Sequence, residues 1–422
     1  MARAKPRVVM RELLFLAHRI PYPPTKGDKI RSYHILKQLT RNYRVHLGTF
    51  IDDPEDWRHA RTVQALCGET CFIRLRPLAA KIRSLTALAR GEPLTLLYYR
   101  SRPLRTWVDE LMARGTVQRV FVFSSSMAQY VEGARGFEMR RVLDFVDMDS
   151  DKWRQYASTR PWPMSWLYRR EARTLLQYER RCAREFEGSV FVSDAEARLF
   201  CAQAPGDSAR VGFVENGVDT DFFSPARQYP SPYEINDFPI VFTGAMDYWA
   251  NVDAVSWFAS DVFPQVRAAM PRAVFYIVGA RPTGVVRRLA AREGVYVTGT
   301  VPDVRPYIAH ARVAVAPLRI ARGVQNKVLE AMAMARPVLA TAQATDGLRL
   351  DGTLRAMVCD DAGSLVARVT KFLAEGDTED FGARGREWVL RHYSWETNLA
   401  RIGQLLEDES SSGRSAATVR HA

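Results

Sequence analysis

Short apolar runs alternate with helical segments along most of this chain, stop at a Pro-rich stretch, and then alternate again. The run ELLFLA at 12–17 reads as a buried strand. HRIPYPPTKGDK after it is a loop, and from Ile30 the residues Tyr33, Ile35, Leu36 and Leu39 fall at helical spacing. YRVHLGTF at 43–50 then returns to strand character, a βαβ opening. Further strands are expected at 119–123, 141–145 and 189–192. After ARQYPSPYEINDF at 226–238 they resume at 240–243, 274–278, 295–298, 313–316 and 338–340. The pattern predicts an α/β chain of two Rossmann-like, doubly wound domains facing each other across a cleft. A length of 422 residues, beyond what one core usually supports, agrees.

The expected layout is a loose N-terminal extension at 1–9, a first domain at 10–225, a linker at 226–238 and a second domain at 239–393. A terminal helix at 394–409, crossing back to the first domain, and a disordered tail at 410–422 complete it. Lys and Arg outnumber Asp and Glu by 60 to 47, a surface that favours anionic partners such as lipid headgroups or phosphorylated sugars, or that serves solubility alone. Five scattered cysteines argue against a disulfide framework, and Cys67 and Cys71 lack a second pair to complete a zinc site. No apolar run reaches the roughly 18 residues of a membrane span. The chain is therefore expected in the cytoplasm.

Several residues fall where this architecture binds ligands. Asn326 is a candidate N-cap of the helix beginning NKVLEAMA, whose free N–H groups and dipole suit a diphosphate. Lys327 places a cation in the first turn, against the dipole, which makes sense with a phosphate nearby; the alternative is a solvated surface lysine. Glu330, three residues on, shares its face and could accept hydrogen bonds from ribose hydroxyls, or be merely an exposed helical Glu. Gly27, in a loop between strand and helix, would let backbone approach a phosphate or simply make a turn. Gly244 follows the first strand of the second domain and permits a tight turn that touches phosphate. Asp144, Asp147 and Asp149 follow a strand and could hold sugar hydroxyls or cap a loop, and His18, just past the first strand, contacts substrate or fills its loop. The DMD at 147–149 is not read as a metal site.

The stretches PPTKGDKIRSYHILKQL, FVSDAEARLFCA with VENGVDTDFFSP, and GVQNKVLEAMAMARPVLAT resemble, in content and order, the retaining family-four glycosyltransferases of GT-B fold. LAHRIPYPPTKGDKIRSYHIL and VLDFVDMDSDKWRQYA are most similar to bacterial sugar transferases of exopolysaccharide and PEP-CTERM (exosortase) systems. The resemblance, over residues 10–408, implies a metal-independent enzyme. It would move a sugar from a nucleotide-diphosphate donor to a growing exopolysaccharide or lipid-linked glycan, peripherally bound to an anionic inner membrane face. No cofactor and no nucleic-acid partner are expected. Lys327, Glu330 and Asp147 are the candidates for catalysis. Gly27, Gly244, Arg322, Gly323, Asn326, Lys327 and Glu330 would bind donor, and His18, Asp144 and Asp149 the acceptor or sugar.

The chain departs from the family pattern in three places. Arg322 stands where many members have the first of two glutamates, and Ala245, Met246 and Asn251 lie where an Arg and a Lys are usual. Aspartates replace a His in LDFVDMDSDKW. The rival expectations are a nucleotide-sugar epimerase, which needs no acceptor, and a non-catalytic sugar-nucleotide-binding scaffold. Finally, the arginines, tryptophans and tyrosines between Trp153 and Arg181, with AAKIRSLTALARG from Ala79, suit a membrane interface or an amphipathic helix packed into its own domain.

Overall fold

The computed structural model describes residues 10–24, 27–133, 139–158, 160–206, 209–321, 324–348, 350–359, 361–377 and 380–407. The chain divides into two compact units, one of residues 1–215 and 399–422, the other of 216–398. Among the described residues the first unit holds a seven-stranded sheet. Its strands are β1 (Arg11–Ala17), β2 (Tyr43–Ile51), β3 (Thr70–Arg74), β4 (Val117–Phe123), β5 (Arg140–Val146), β6 (Gly188–Phe191) and β7 (Val211–Phe213). Their order is β3-β2-β1-β4-β5-β6-β7. The second unit holds β8 (Phe238–Thr243), β9 (Ala273–Val278), β10 (Val295–Gly299), β11 (Val313–Ala316) and β12 (Val338–Ala340), in the order β10-β9-β8-β11-β12. All of these pairings are parallel.

Parallel strands are covered by helices on both faces, so they must be apolar throughout. Leu13 to Ala17 of β1 and Val120 to Phe123 of β4 are accordingly buried. Leu14, Leu16, Val122 and Leu143 join helical residues such as Leu175 in one core; Ile240, Phe242, Ile277 and Val315 join Leu329 in the other. In each sheet the chain builds outward one way and then restarts beside its first strand. The reversal lies between β1 and β4 in the first sheet and between β8 and β11 in the second. Ligands of such sheets bind beyond the carboxyl ends of the strands at these reversals.

Two strands, β3 and β7, were not expected from the sequence. The Pro-rich stretch 226–238, expected as a linker, lies inside the second unit: the Tyr233 hydroxyl donates to the Tyr307 carbonyl at 2.6 Å. The terminal helix Trp395–Glu407 starts in the second unit and ends in the first. There Glu407 accepts from Tyr43 and Arg11, each at 2.5 Å. The expected extension at 1–9 and tail at 410–422 lie outside the described residues.

Candidate functional site

In the second unit, β8 ends at Thr243 and Gly244 follows with φ +155°; Gly279, after β9, has φ +154°. A Cβ on Gly244 would stand 2.8 Å from Asn251 Nδ2, and one on Gly279 would stand 1.7 Å from the Gly244 carbonyl oxygen. Only glycine meets both demands, so the strand ends lie bare. Asn251 is buried; its Nδ2 donates to the Ala245 carbonyl at 2.9 Å, and its Oδ1 has no protein partner.

Beyond β11 the chain enters the helix Asn326–Ala333. The cap position belongs to Gln325, not to Asn326 as expected, and no side chain caps the helix. Asn326 is already helical, and its buried Oδ1 is likewise without a protein partner. Lys327 reaches back toward the end of β8. Its Nζ lies 5.3 Å from the centroid of the Phe242 ring, and its Cε would be 3.5 Å from a Cβ on Gly244. Each of Lys327 and Glu330 keeps some contact with solvent, yet crowding around the charged ends displaces both. Burial lowers Lys327 to about 8 against the opposing pull of Glu330, and raises Glu330 to about 7 against that of Lys327. A cation held below its ordinary value, beside bare strand ends and open amide groups, is arranged for an anion. Arg322 and Gly323 lie outside the described residues.

In the first unit a cavity of about 800 Å³ opens at the ends of β1, β4 and β5. His18 enters it from β1, Ser124 and Ser126 from β4, and Asp147 and Asp149 from β5. The His18 ring stacks on Phe123 with centroids 5.7 Å apart. Its Nε2 lies 3.5 Å from Asp28 Oδ2, and its buried Nδ1 has no protein partner. Burial alone would raise the Asp28 carboxyl, but the bond to His18 and the charge of Arg19 at 2.5 Å hold it well below the carboxylate range. Asp147 and Asp149 both accept from Lys152 Nζ, at 2.7 and 3.2 Å.

Asp144, expected as a sugar contact, does not line the cavity. It is fully buried and accepts from Arg31 Nε at 2.8 Å and from the Val146 N–H at 2.9 Å, fixing the end of β5. Gly27 opens the helix Gly27–Asn42, where a Cβ would meet nothing within 4 Å, so packing inside the chain does not demand glycine there.

Three carboxylates the sequence did not single out hold the cavity walls. Glu171 and Glu179, on the helix Met164–Glu185, are fully buried. Glu171 accepts from the Leu94 N–H at 2.7 Å and the Thr95 N–H at 2.9 Å. Glu179 accepts from the Ser150 N–H at 3.2 Å and its Oγ at 2.5 Å. Glu196 accepts from the Met148 N–H at 2.7 Å. Burial pushes Glu179 up to about 8, though the Ser150 bonds oppose it. Acidic residues eight apart on the buried stripe of an amphipathic helix were the available signal.

Residues 237–375, inside the second unit, match the family "Glycosyl transferases group 1". The chain is 29% identical over 280 residues, 59% of its length and 69% of the relative's, to a GDP-mannose-dependent alpha-(1-6)-phosphatidylinositol monomannoside mannosyltransferase of Mycolicibacterium smegmatis. In fold it is similar to Anabaena HepE in complex with UDP, with TM-score 0.64 and 15% identity over 94% of this chain and 99% of that one. It is also similar to WaaG, a glycosyltransferase involved in lipopolysaccharide biosynthesis, with TM-score 0.63 and 14% identity over 94% of this chain and 100% of that one. With a group 1 domain over the Lys327 site and the two-sheet architecture of these structures, the chain is a glycosyltransferase of GT-B fold.

Proposed function

We propose that the chain transfers a hexosyl group from a nucleotide-diphosphate sugar, held by the second unit, to a glycan or lipid-linked acceptor, held by the first. Transfer retains the anomeric configuration and needs no metal. The observation that carries this reading is Lys327 beside Gly244 at the reversal between β8 and β11, with Glu330 one turn along the same face. The lysine and the amide groups at the start of its helix stabilise the diphosphate as it departs, and Glu330 accepts from the ribose hydroxyls. The bond from the anomeric carbon to the phosphate oxygen breaks, and the acceptor oxygen bonds on the same face. That phosphate oxygen takes the acceptor proton, so no protein base is required.

HepE was captured with UDP and the mycobacterial relative depends on GDP-mannose, which supports the donor class. The cavity of about 800 Å³ in the first unit favours transfer over an epimerase, which needs no second substrate. The motifs in LAHRIPYPPTKGDKIRSYHIL support an exopolysaccharide role, and the exposed tryptophans and basic residues near Met164 support attachment to an anionic inner membrane face.

The test measures nucleoside diphosphate release from a panel of nucleotide sugars in EDTA, with NMR of the product anomer. One donor should turn over at a rate that EDTA leaves unchanged, with retained configuration. Complete loss in EDTA restored by Mg²⁺ or Mn²⁺, or an inverted product, would contradict the corresponding clause.

A further inference from the structure

The cavity of the first unit has an inverted polarity. Its depth is polar: Ser124 and Ser126 are buried at its floor beside His18 and Asp28. Its rim is apolar: Leu85 and Met164 line it while 49% and 39% exposed. The apolar surface continues outward. Leu78 and Ile82, on the helix Pro77–Ser84, are 78% and 71% exposed, and Trp162, two residues before Met164, is 79% exposed. Leu78, Ile82 and Leu85 recur at four- and three-residue intervals and so share one side of the turn. Arg170 ties the two segments together, donating to the Ala87 carbonyl at 2.9 Å and the Glu92 carbonyl at 3.1 Å.

A pocket for a soluble saccharide needs no such mouth, because large apolar side chains at a rim gain nothing from a hydroxylated ligand. An amphiphile entering head first satisfies both ends. Its hydroxyls meet the hydrogen-bonding groups of the floor, and its chain covers the rim.

We infer that the acceptor is a lipid-linked saccharide, taken sugar first, whose apolar chain lies along Leu85, Met164 and the Leu78–Ile82 surface. This rests on the reading that the first unit holds the acceptor. The geometry selects the lipid-linked class over a free polysaccharide. His18 and Asp149 meet the sugar, and the rim sets the preference for a chain.

The test needs no donor, so it stands apart from whether turnover is found. Methyl, hexyl, octyl and decyl glucosides and mannosides are titrated into the full chain by calorimetry, below their micelle-forming concentrations. Affinity in one sugar series should rise about three- to fourfold per methylene over the length the rim covers, as burial of a methylene group gives. Leu85→Ser and Met164→Ser, at exposed positions, should flatten that rise. Affinity independent of chain length, no binding in either series, or an undiminished rise in both variants would overturn the inference. So would equal binding of the matching alcohols without sugar.

Discussion

Glu179 shows how a single buried group shapes the cavity. Its carboxyl accepts two hydrogen bonds from Ser150, at the start of the helix Asp149–Ser158 that carries Lys152 and Trp153 into the wall. Desolvation nevertheless dominates and raises it from 4.5 to about 8. The folded state thus holds a proton that the unfolded chain releases. The stability this contributes is complete below about pH 4.5 and is lost as pH rises through about 8. Because a tenfold change in proton affinity is worth about 1.4 kcal/mol, the effect spans several kcal/mol. Glu179→Gln, which keeps an acceptor for the Ser150 N–H, should flatten the fall in denaturation midpoint between pH 5 and pH 8, as followed by chemical denaturation; an unchanged slope would place the titration elsewhere. Lys327 and Glu330 were legible in the sequence because helix spacing alone brings them to one face. Glu171, Glu179 and Glu196 were not, because their partners lie 77, 29 and 48 residues away. Asp144 misled for the same reason: its partner Arg31 is 113 residues distant, and nothing local marks the pair.

Among the elements, the helix Met164–Glu185 has two tasks. Its inner side buries Leu175, Tyr178 and Cys182 and holds the two capping glutamates, while Trp166 near its start is half exposed. The two alternatives for this stretch are therefore both present, the packing of one side and an exposed aromatic start. With Leu78, Ile82 and Trp162 it forms the surface proposed for membrane contact. In flotation assays the chain should rise with vesicles containing anionic lipid and do so less as salt increases. Ile82→Asp with Trp162→Asp should abolish recovery. Equal recovery with neutral and anionic vesicles, or none with either, would leave this surface without a membrane role. Strands buried on both faces, such as β1 and β4, announce themselves as apolar runs. β3 and β7 do not: they end the sheet, are only partly buried and run to five and three residues, too short and too mixed for periodicity to register. The Pro-rich stretch read as a linker because its anchor, the bond from Tyr233 to Tyr307, is tertiary.

At the scale of the whole molecule, two parallel sheets each reverse their build direction, and the chemistry lies at both reversals. In the first unit His18 and Ser124 follow the paired strands β1 and β4; in the second Gly244 follows β8 and the Lys327 helix follows β11. The residues that part from the family pattern fall at these places too. Asn251, rather than a cation, backs Gly244, which leaves Lys327 as the described cation nearest the bare strand end. If Lys327 acts on the departing diphosphate and Glu330 on the ribose, the two must fail differently when replaced, and the most direct test is steady-state kinetics of Lys327→Ala and Glu330→Gln on the donor identified by the panel. Loss of one electrostatic contact made mainly in the transition state costs on the order of 3 kcal/mol. Lys327→Ala, folded by circular dichroism, should therefore lose about a hundredfold in kcat with little change in donor KM, whereas Glu330→Gln should mainly raise donor KM. Wild-type kcat and KM in both folded variants would contradict these roles.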